Sequence, residues 1–313
     1  MSFEARIRES LDAVVVGADR IGFGLLVALL SRGHALVEGV PGTGKTLVVR
    51  AFALSLGLQF RRLQFTPDLM PSDVTGTTVF NPKSGEFSIR PGPIFANVVL
   101  ADEINRTPPK TQAALLEAME EARVTIDGAP LPLPDPFIVC ATQNPIEYEG
   151  TYPLPEAQLD RFLVKVESSY PSEEEEARLL ERVASGFDAR RLEMAGIAAV
   201  TSAEEIVRAQ DAVRRVTCSP EVRTYVLRIV EATRTNAHLS LGASPRAGVA
   251  LLVAAAAAAT IEGRDFATPD DVKDVAPLVL PHRLIVKPEA EIEGVRARDV
   301  LADLLARIPV PRE

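Results

Sequence analysis

The chain has 313 residues, enough for two domains, and its 43 acidic against 34 basic residues give a formal net charge of −9. This balance argues against an extended nucleic-acid-binding surface, although it leaves room for a local basic groove. No apolar run reaches the ~18 residues of a membrane span, the first residues form no apolar leader, and Cys140 and Cys218 lack metal-ligand spacing, so we expect a cytoplasmic protein.

Strand and helix patterns alternate through the first half of the chain. Residues 4–31 predict a helical lead-in that breaks at residues 16–18. A helix is predicted over 108–122, where apolar residues recur at helical spacing. Alternation of this kind predicts an α/β fold with a mostly parallel sheet covered on both faces. The candidate strands are 35–38, 59–64, 98–101, 137–142 and 162–166.

Directly after the first candidate strand, residues 39–46 fit the phosphate-loop pattern G-x-x-x-x-G-K-[ST]. Its glycines let backbone N–H groups approach an anion, and the helix that follows adds the positive end of its dipole. Lys45 can reach the β- and γ-phosphates of a nucleotide, and the Thr46 hydroxyl can ligate Mg²⁺. The alternative is a Gly/Pro-rich turn without a ligand, which the flanking strand and helix disfavour.

An acidic pair, Asp102 and Glu103, follows the candidate strand 98–101. Asp102 is suited to hold Mg²⁺ directly or through water, and Glu103 to orient and polarise an attacking water. A solvated pair at a helix start is the alternative, which its distance along the chain from Lys45 disfavours. We therefore predict hydrolysis of a nucleoside triphosphate. The predicted nucleotide-binding residues are Gly39, Val40, Pro41, Gly42, Thr43, Gly44, Lys45, Thr46, Leu47 and Asp102, with Thr46 and Asp102 as metal ligands.

The candidate strand 59–64 lies in sequence between the phosphate loop and the acidic pair. We expect the sheet to insert a strand between the strands that carry these two motifs. The inserted strand is predicted to be 59–64, with 137–142 as a further candidate. Such an insertion beside a catalytic glutamate separates motor-type ATPases from simple nucleotide kinases.

After residue 170 the alternation stops and only helices are predicted. Ser172 precedes four glutamates, which favours a helix start because carboxylates stabilise a first turn. We therefore divide the chain into an αβα core over residues 1–170 and a small all-helical domain over 171–313. Further helices, each after Ser or Thr and often with Pro at the first position, are predicted over 202–215, 220–235, 245–262 and 269–279.

Long segments of the chain together resemble the MoxR family of AAA+ ATPases. The resemblance is strong over about residues 10–170 and looser over the helical domain, which it identifies as a lid. It implies ATP and Mg²⁺ as bound species, a homo-hexameric ring, and often a partner with a von Willebrand factor A domain. Gly17-Ala18 stands where the family often has Gly-Gln beside the adenine, which bears on base selection. The matching segments are 36–46, 63–76, 92–95, 102–106, 112–121, 141–145 and 154–162.

Besides Glu103, the resemblance implies three catalytic residues. Asn144 resembles sensor 1, which would bind the attacking water or the γ-phosphate; alternatively, it only forms the turn before a proline. Arg161 resembles an arginine finger that acts on a neighbouring subunit's nucleotide, or it forms a surface pair with Asp160. Arg246 resembles sensor 2, placed at the start of a lid helix, where a cation without such a role is disfavoured by the helix dipole.

Two insertions, about residues 75–92 and 123–137, also resemble those of the family's wider group. Asp127-Gly128 predicts a hairpin turn in the second insertion independently of the resemblance.

The leading hypothesis is a chaperone-like ATPase that remodels or activates a protein client. The alternatives are a nucleic-acid motor, which the acidic charge disfavours, and a nucleotide-controlled switch with negligible turnover, which Glu103 disfavours. A ring ATPase like that of magnesium chelatase is a fourth reading.

Overall fold

The computed structural model describes residues 3–12, 14–83, 85–144, 150–189, 191–192 and 196–311. A parallel sheet forms the centre of the first domain, and the break predicted at residues 16–18 separates its first two helices. The elements up to the last sheet strand are α1 (Phe3–Asp12), α2 (Asp19–Leu30), β1 (Ala35–Gly39), α3 (Lys45–Ser55), β2 (Phe60–Gln64), α4 (Pro71–Thr75), β3 (Gly76–Asn81), β4 (Glu86–Pro91), β5 (Val98–Asp102), α5 (Pro109–Glu121), β6 (Arg123–Ile126), β7 (Ala129–Pro132), β8 (Ile138–Gln143), α6 (Glu156–Leu159) and β9 (Val164–Ser168).

Five parallel strands form the sheet in the spatial order β2-β5-β8-β1-β9. The strand between β1 and β5 is β8, so the candidate 137–142 is confirmed in the inserted place. The prediction that 59–64 is inserted is wrong, because β2 pairs with β5 at the edge of the sheet. Burial accounts for the difference: β5 and β8 are buried, as inner strands require, whereas β2 exposes Arg61 and Arg62.

Two hairpins project from the sheet domain where the insertions are predicted. β3 and β4 pair antiparallel and form a two-stranded sheet of their own within the described chain. β6 and β7 pair through Ile126 and Ala129. Asp127 and Gly128 between them have φ of 48° and 83°, as a tight hairpin turn with two left-handed residues requires, so this predicted turn is confirmed.

The second half of the chain is mostly helical, and its helices begin where capping residues predict. Each of the side chains of Ser172, Ser202, Ser219, Ser244 and Thr268 accepts a hydrogen bond from a backbone N–H three residues later. The elements are α7 (Glu173–Ala184), α8 (Ala203–Val213), α9 (Pro220–Arg234), β10 (Leu239–Leu241), α10 (Pro245–Ile261), α11 (Pro269–Val279), β11 (Ile285–Val286), α12 (Pro288–Ile292) and α13 (Ala297–Arg307).

The expectation of an all-helical lid missed one antiparallel pair, β10 with β11. Strands of three and two residues are too short to show an alternating pattern in the sequence. The pair brings residues 239–241 beside residues 285–286, and so places the start of α10 near the end of α11.

Apolar residues fill both faces of the sheet. On one face, Leu36, Val99 and Val139 belong to a cluster that includes Leu116 of α5. The cluster on the other face is larger and continues from the sheet into the lid helices, for example to Tyr225. The division of the chain at residue 170 therefore remains a prediction. None of the helices in the described part of the chain is both long and apolar enough to span a membrane.

Candidate active site

The phosphate loop joins the carboxyl end of β1 to the start of α3. Gly42 and Gly44 have φ of 82° and 76°, which favours glycine at both positions. A Cβ added at either would meet no described atom within 4 Å, so both glycines face open space. The first turn of α3 carries no acidic side chain to compete with an anion for its N–H groups. The loop is therefore an open cradle at a helix start, a setting that suits an anion such as phosphate.

Lys45 is folded over this cradle. Its Nζ donates to the carbonyl oxygens of Gly39 at 2.8 Å and Val40 at 2.6 Å. Partial burial lowers the pKa of the Lys45 ammonium, and the negative charges of Asp102 and Glu103 oppose this shift. Charge-assisted bonds to phosphate are stronger than bonds to neutral carbonyls, so a bound triphosphate can replace these loop contacts.

The predicted metal ligands, Thr46 and Asp102, meet in the fold. Thr46 Oγ1 donates to Asp102 Oδ2 at 3.3 Å, because β1 and β5 end at the same edge of the sheet. Asp102 is buried and accepts a bond from Thr142 Oγ1 to its Oδ1 at 2.6 Å. A hydroxyl and a carboxylate are the hard oxygen donors that Mg²⁺ prefers, so this pair fits the metal.

Asp102 has a further partner that the sequence did not reveal. Arg62 on the edge strand β2 donates Nη2 to Asp102 Oδ2 at 2.6 Å and Nε to the same oxygen at 2.9 Å. The parallel register sets Arg62 opposite Leu100, two residues before Asp102, within reach of a long side chain. Half of the Arg62 side chain is exposed, so it can leave the carboxylate. The only signal in the sequence was a basic pair in an otherwise strand-like segment.

Glu103 adopts a backbone conformation that is uncommon for a residue with a side chain, with φ of 57°. Its N–H donates to Thr142 Oγ1 at 2.9 Å, so one threonine positions both acidic residues. The Glu103 carboxylate accepts a bond from Gln64 Nε2 at 2.8 Å and pairs with Arg106 at 3.1 Å. Sequence reasoning missed Thr142 and Gln64, although a lone threonine in the apolar strand β8 was a usable signal.

Asn144 lies directly after β8 and is buried. Because β8 runs between β1 and β5, this places Asn144 at the sheet edge where the phosphate loop and the acidic pair converge. The turn predicted for Asn144 involves Pro145, which falls outside the described residues. The place of Asn144 in the fold agrees with the predicted role of sensor 1, and that role stays a prediction.

A cavity of about 270 Å³ opens beside the phosphate loop. Its walls come from residues 14–17, the loop, the end of β9 and the start of α7, with Leu47 among them. Ala18 is buried and is not one of the described residues that line the cavity, whereas residues 14–17 are.

Arg161 and Arg246 lie elsewhere. Arg161 follows α6 and donates from Nη1 to Leu116 O at 2.7 Å, with Nη2 3.2 Å from Glu120. Arg246, the second residue of α10, pairs with Asp160 at 3.5 Å. Neither arginine is among the described residues that line the cavity beside the loop. Arg246 therefore lies beside Asp160, the residue before Arg161, and Arg161 itself lies against α5.

Comparison with known proteins places this geometry in a family. Residues 34–164 match the model of the ATPase family associated with various cellular activities (AAA), and residues 231–304 match the AAA lid domain. The Mycobacterium tuberculosis protein named Chaperone MoxR1 is 42% identical over 308 residues, which span 96% of this chain and 80% of that protein. This chain belongs to the MoxR family of AAA+ ATPases.

Two more proteins are similar to this chain over nearly its full length. The Bacillus subtilis protein YeaC is 50% identical over 303 residues, covering 97% of this chain and 93% of that protein. A crystal structure from Cytophaga hutchinsonii superposes with a TM-score of 0.89 at 40% identity and covers 98% of this chain and 94% of its own. The family resemblance, the AAA+ core with a lid and the ATP hydrolase activity are thereby confirmed.

Proposed function

We propose that this MoxR-family ATPase hydrolyses ATP with Mg²⁺ at the phosphate loop and uses the energy to remodel or activate a protein client. One observation carries the proposal. The loop, Asp102, Glu103 and Asn144 converge at one sheet edge, whereas Arg161 and Arg246 are not among the described residues that line the adjoining cavity. Such a half-complete site fits an assembly in which neighbouring subunits complete each other.

Within one subunit, the chain's own residues bind the nucleotide and activate water. Lys45 exchanges its loop carbonyls for phosphate oxygens. Thr46 and Asp102 would hold Mg²⁺, which when bound offsets the charge of the phosphates. Glu103 releases its hydrogen bond from Gln64 and accepts a proton from the attacking water. The oxygen of that water bonds to the γ-phosphorus as the bond between the γ-phosphorus and the β–γ bridging oxygen breaks. The Asn144 amide orients the same water.

The neighbouring subunit would supply Arg161 and Arg246 in a homo-hexameric ring. An arginine supplied in trans stabilises charge in the transition state and is worth ~10³–10⁵ in rate where it has been measured. The Arg161 guanidinium lies against α5, where it donates to Leu116 O at 2.7 Å and pairs with Glu120 at 3.2 Å, and 31% of the side chain is exposed. The helix dipole opposes a cation at the start of α10, which supports a ligand-binding role for Arg246.

The hairpin of β3 and β4 supports a protein client. Phe80 and Phe87 are 50% and 73% exposed, and their ring centroids lie 5.1 Å apart. Exposed aromatic side chains that cluster in this way mark surfaces that bind other proteins. Lys83 and Arg90 against Glu86 give this hairpin too little positive charge to follow a phosphate backbone. The relative from Mycobacterium tuberculosis is named a chaperone, which favours the same reading.

The ring arrangement can be tested by mixing two inactive variants. Lys45→Ala should lose nucleotide binding, and Arg161→Ala should bind ATP but hydrolyse it ~10³–10⁵ times more slowly. A mixed ring contains interfaces where an intact loop faces an intact Arg161, so activity should partly return. Arg307→Ala, which removes an exposed arginine paired with Asp303, serves as a control that should keep full activity. A mixture as inactive as its components, under verified subunit exchange, would contradict action in trans.

A second experiment addresses the client. Glu103→Gln should hold ATP and retain a bound client, whereas Lys45→Ala combined with Glu103→Gln should not. The partners sought include a protein with a von Willebrand factor A domain, which rests on the family resemblance alone. Replacing Phe80 and Phe87 by serine in the Glu103→Gln background should release the client while ATP stays bound. Tight, salt-sensitive binding of DNA in fluorescence anisotropy, with stimulated hydrolysis, would favour the nucleic-acid motor instead.

A further inference from the structure

One buried arginine joins the lid to the core. Arg283 lies in the short helical turn after α11, and its side chain is only 4% exposed. Its guanidinium reaches into the core segment that follows α6. Nε donates to Asp160 Oδ1 at 2.7 Å, and Nη2 donates to the backbone oxygens of Asp160 at 3.1 Å and Phe162 at 2.8 Å. Nη1 donates to Leu163 O at 3.1 Å.

The same guanidinium is anchored on the lid side. Nη1 donates to the carbonyl oxygen of Val279, in the last turn of α11, and lies 2.7 Å from His282 Nε2. Burial, followed by the charge of Arg283, holds the pKa of His282 well below its usual value. Burial therefore favours the neutral imidazole, whose Nε2 also lies 3.0 Å from Phe162 O, so the tautomer decides whether this nitrogen accepts from the guanidinium or donates to that carbonyl. Arg283 thus contacts lid and core with one planar group.

The core segment that Arg283 holds is the one that carries Arg161. The carbonyl oxygens of Asp160 and Phe162, which accept from the guanidinium, belong to the residues on either side of Arg161. The carboxylate of Asp160 is shared, with Oδ1 facing Arg283 and Oδ2 facing Arg246 at 3.5 Å. A shift of the lid relative to α6 would therefore move the backbone at Arg161 and the partner of Arg246 together.

A purely stabilising role does not explain this arrangement. Burying an arginine–carboxylate pair costs as much desolvation as the pair regains, and apolar side chains of similar volume would stabilise the junction equally well. What the guanidinium adds is direction, because its planar fork accepts only partners placed at fixed angles. The guanidinium donates to the carboxylate of Asp160 and to the backbone oxygens of Asp160, Phe162 and Leu163, so these contacts specify where the backbone around Arg161 lies.

We propose that Arg283 is a positioning residue. It couples the position of the lid to the position of Arg161, the arginine that completes the neighbouring subunit's site. The inference rests on the proposed function, in which Arg161 acts in trans. Its consequence is specific: a subunit with a damaged Arg283 keeps a working nucleotide site of its own and fails only as a donor of Arg161.

Two variants weaken the junction in different ways. Arg283→Lys keeps the positive charge but loses the planar guanidinium and its set of N–H donors. Asp160→Asn keeps the shape of the side chain but loses its charge, at a residue whose side chain is 25% exposed. Each removes charge-assisted bonds, so we expect kcat to fall about 10-fold or more while the Kd for ATP changes less than about twofold. Arg264→Lys is the matched control, since Arg264 forms a bidentate pair with Asp271 within the lid, at 2.8 and 2.5 Å. It should lower lid stability and leave kcat unchanged.

Mixing experiments separate the proposed role from a general defect. Rings of Arg283→Lys with Lys45→Ala should recover activity, because the first supplies an intact phosphate loop and the second an intact Arg161. Rings of Arg283→Lys with Arg161→Ala should stay inactive, because neither supplies a positioned Arg161. Recovery only with Arg161→Ala, or with neither partner, would overturn the proposal by showing that Arg283 supports its own subunit's nucleotide site.

Further controls keep the outcome interpretable. Thermal unfolding and ATP binding establish that each variant is folded, and Asp160→Asn carries the same mixing test if Arg283→Lys unfolds. The mixture of Lys45→Ala with Arg161→Ala is run in parallel. If that mixture fails to recover, action in trans itself is wrong and the role of Arg283 falls with it. If it recovers and the Arg283 mixtures do not follow the predicted pattern, only the role of Arg283 is overturned.

Discussion

This MoxR-family protein has two polar clusters, one at the phosphate loop and one at the lid–core junction. They differ in how far their cationic side chains are exposed and in how easily their partners can be exchanged. At the loop, Lys45 rests on neutral carbonyls, and Arg62, half exposed, occupies the carboxylate that is suited to Mg²⁺. At the junction, Arg283 is 4% exposed and contacts a carboxylate and several backbone oxygens. The first cluster holds partners that a ligand can replace, whereas the second is centred on a buried guanidinium whose carboxylate partner is 25% exposed.

The difference in exposure determines how much each ion pair contributes to the free energy of unfolding. An exposed ion pair contributes about 0–1 kcal/mol, because water and salt screen it. Removing one member of a buried pair costs about 3–5 kcal/mol, because the other charge is left without a partner in a medium of low polarity. Changes at the loop should therefore affect turnover more than stability, and changes at the junction should affect both.

The largest effect is expected at Glu103. Glu103→Gln removes the group that accepts the proton of the attacking water, so steady-state phosphate release should fall ~10²–10⁴-fold. The Kd for ATP and the free energy of unfolding should change little, since the carboxylate contacts only Gln64 and Arg106 among the partners described above. Equilibrium binding and denaturant unfolding measure both. Turnover like that of the wild-type protein would remove Glu103 from the mechanism.

The same substitution at two arginines tests the comparison directly. Arg283→Met should lower the free energy of unfolding by about 3–5 kcal/mol, because among the described residues Asp160 keeps only Arg246 as an ionic partner and the backbone oxygens of Phe162 and Leu163 lose a buried donor. Arg62→Met should lower it by no more than about 1 kcal/mol. Denaturant titrations at equal protein concentration give both values. Equal losses at the two sites would show that the contrast in exposure does not govern their stability.

Substitutions at the buried Thr142 test how the cluster at the phosphate loop is held together. Thr142→Val keeps the shape but leaves the N–H of Glu103 and one oxygen of Asp102 without their partner. We expect a loss of about 1–3 kcal/mol in unfolding free energy, together with slower hydrolysis. Thr142→Ser keeps the hydroxyl and should retain turnover at the cost of a methyl group. Matching kinetics for the valine and serine variants would show that the hydroxyl does not position Glu103.

The smallest effect is expected from Arg62 on metal binding. Arg62→Met removes the cation that competes for Asp102 Oδ2, so the Mg²⁺ concentration for half-maximal ATP binding should fall, by up to about fivefold. A titration of Mg²⁺ at fixed ATP measures this. A higher requirement for Mg²⁺ in the variant would mean that Arg62 assists the metal site and does not compete with it.

Much of the nucleotide site could be predicted from the sequence because its information is local. The phosphate loop is one continuous motif, and Asp102-Glu103 follows its own apolar strand. The Asp127-Gly128 turn and the capping serines likewise act on backbone groups within a few residues. Short-range chemistry of this kind leaves its pattern in the chain whatever the rest of the fold does.

Only the tertiary structure decided which distant segments meet. Strand order was one such choice, since 59–64 lies in sequence between the two motifs although β2 lies at the edge of the sheet beside β5. The junction was another, since Arg283 and Asp160 stand 123 residues apart and look unremarkable in sequence. The place of Arg246 beside Asp160 was a third. Contacts at such separation depend on how whole elements pack, and the periodicity of a segment reports only its own conformation and its own buried face.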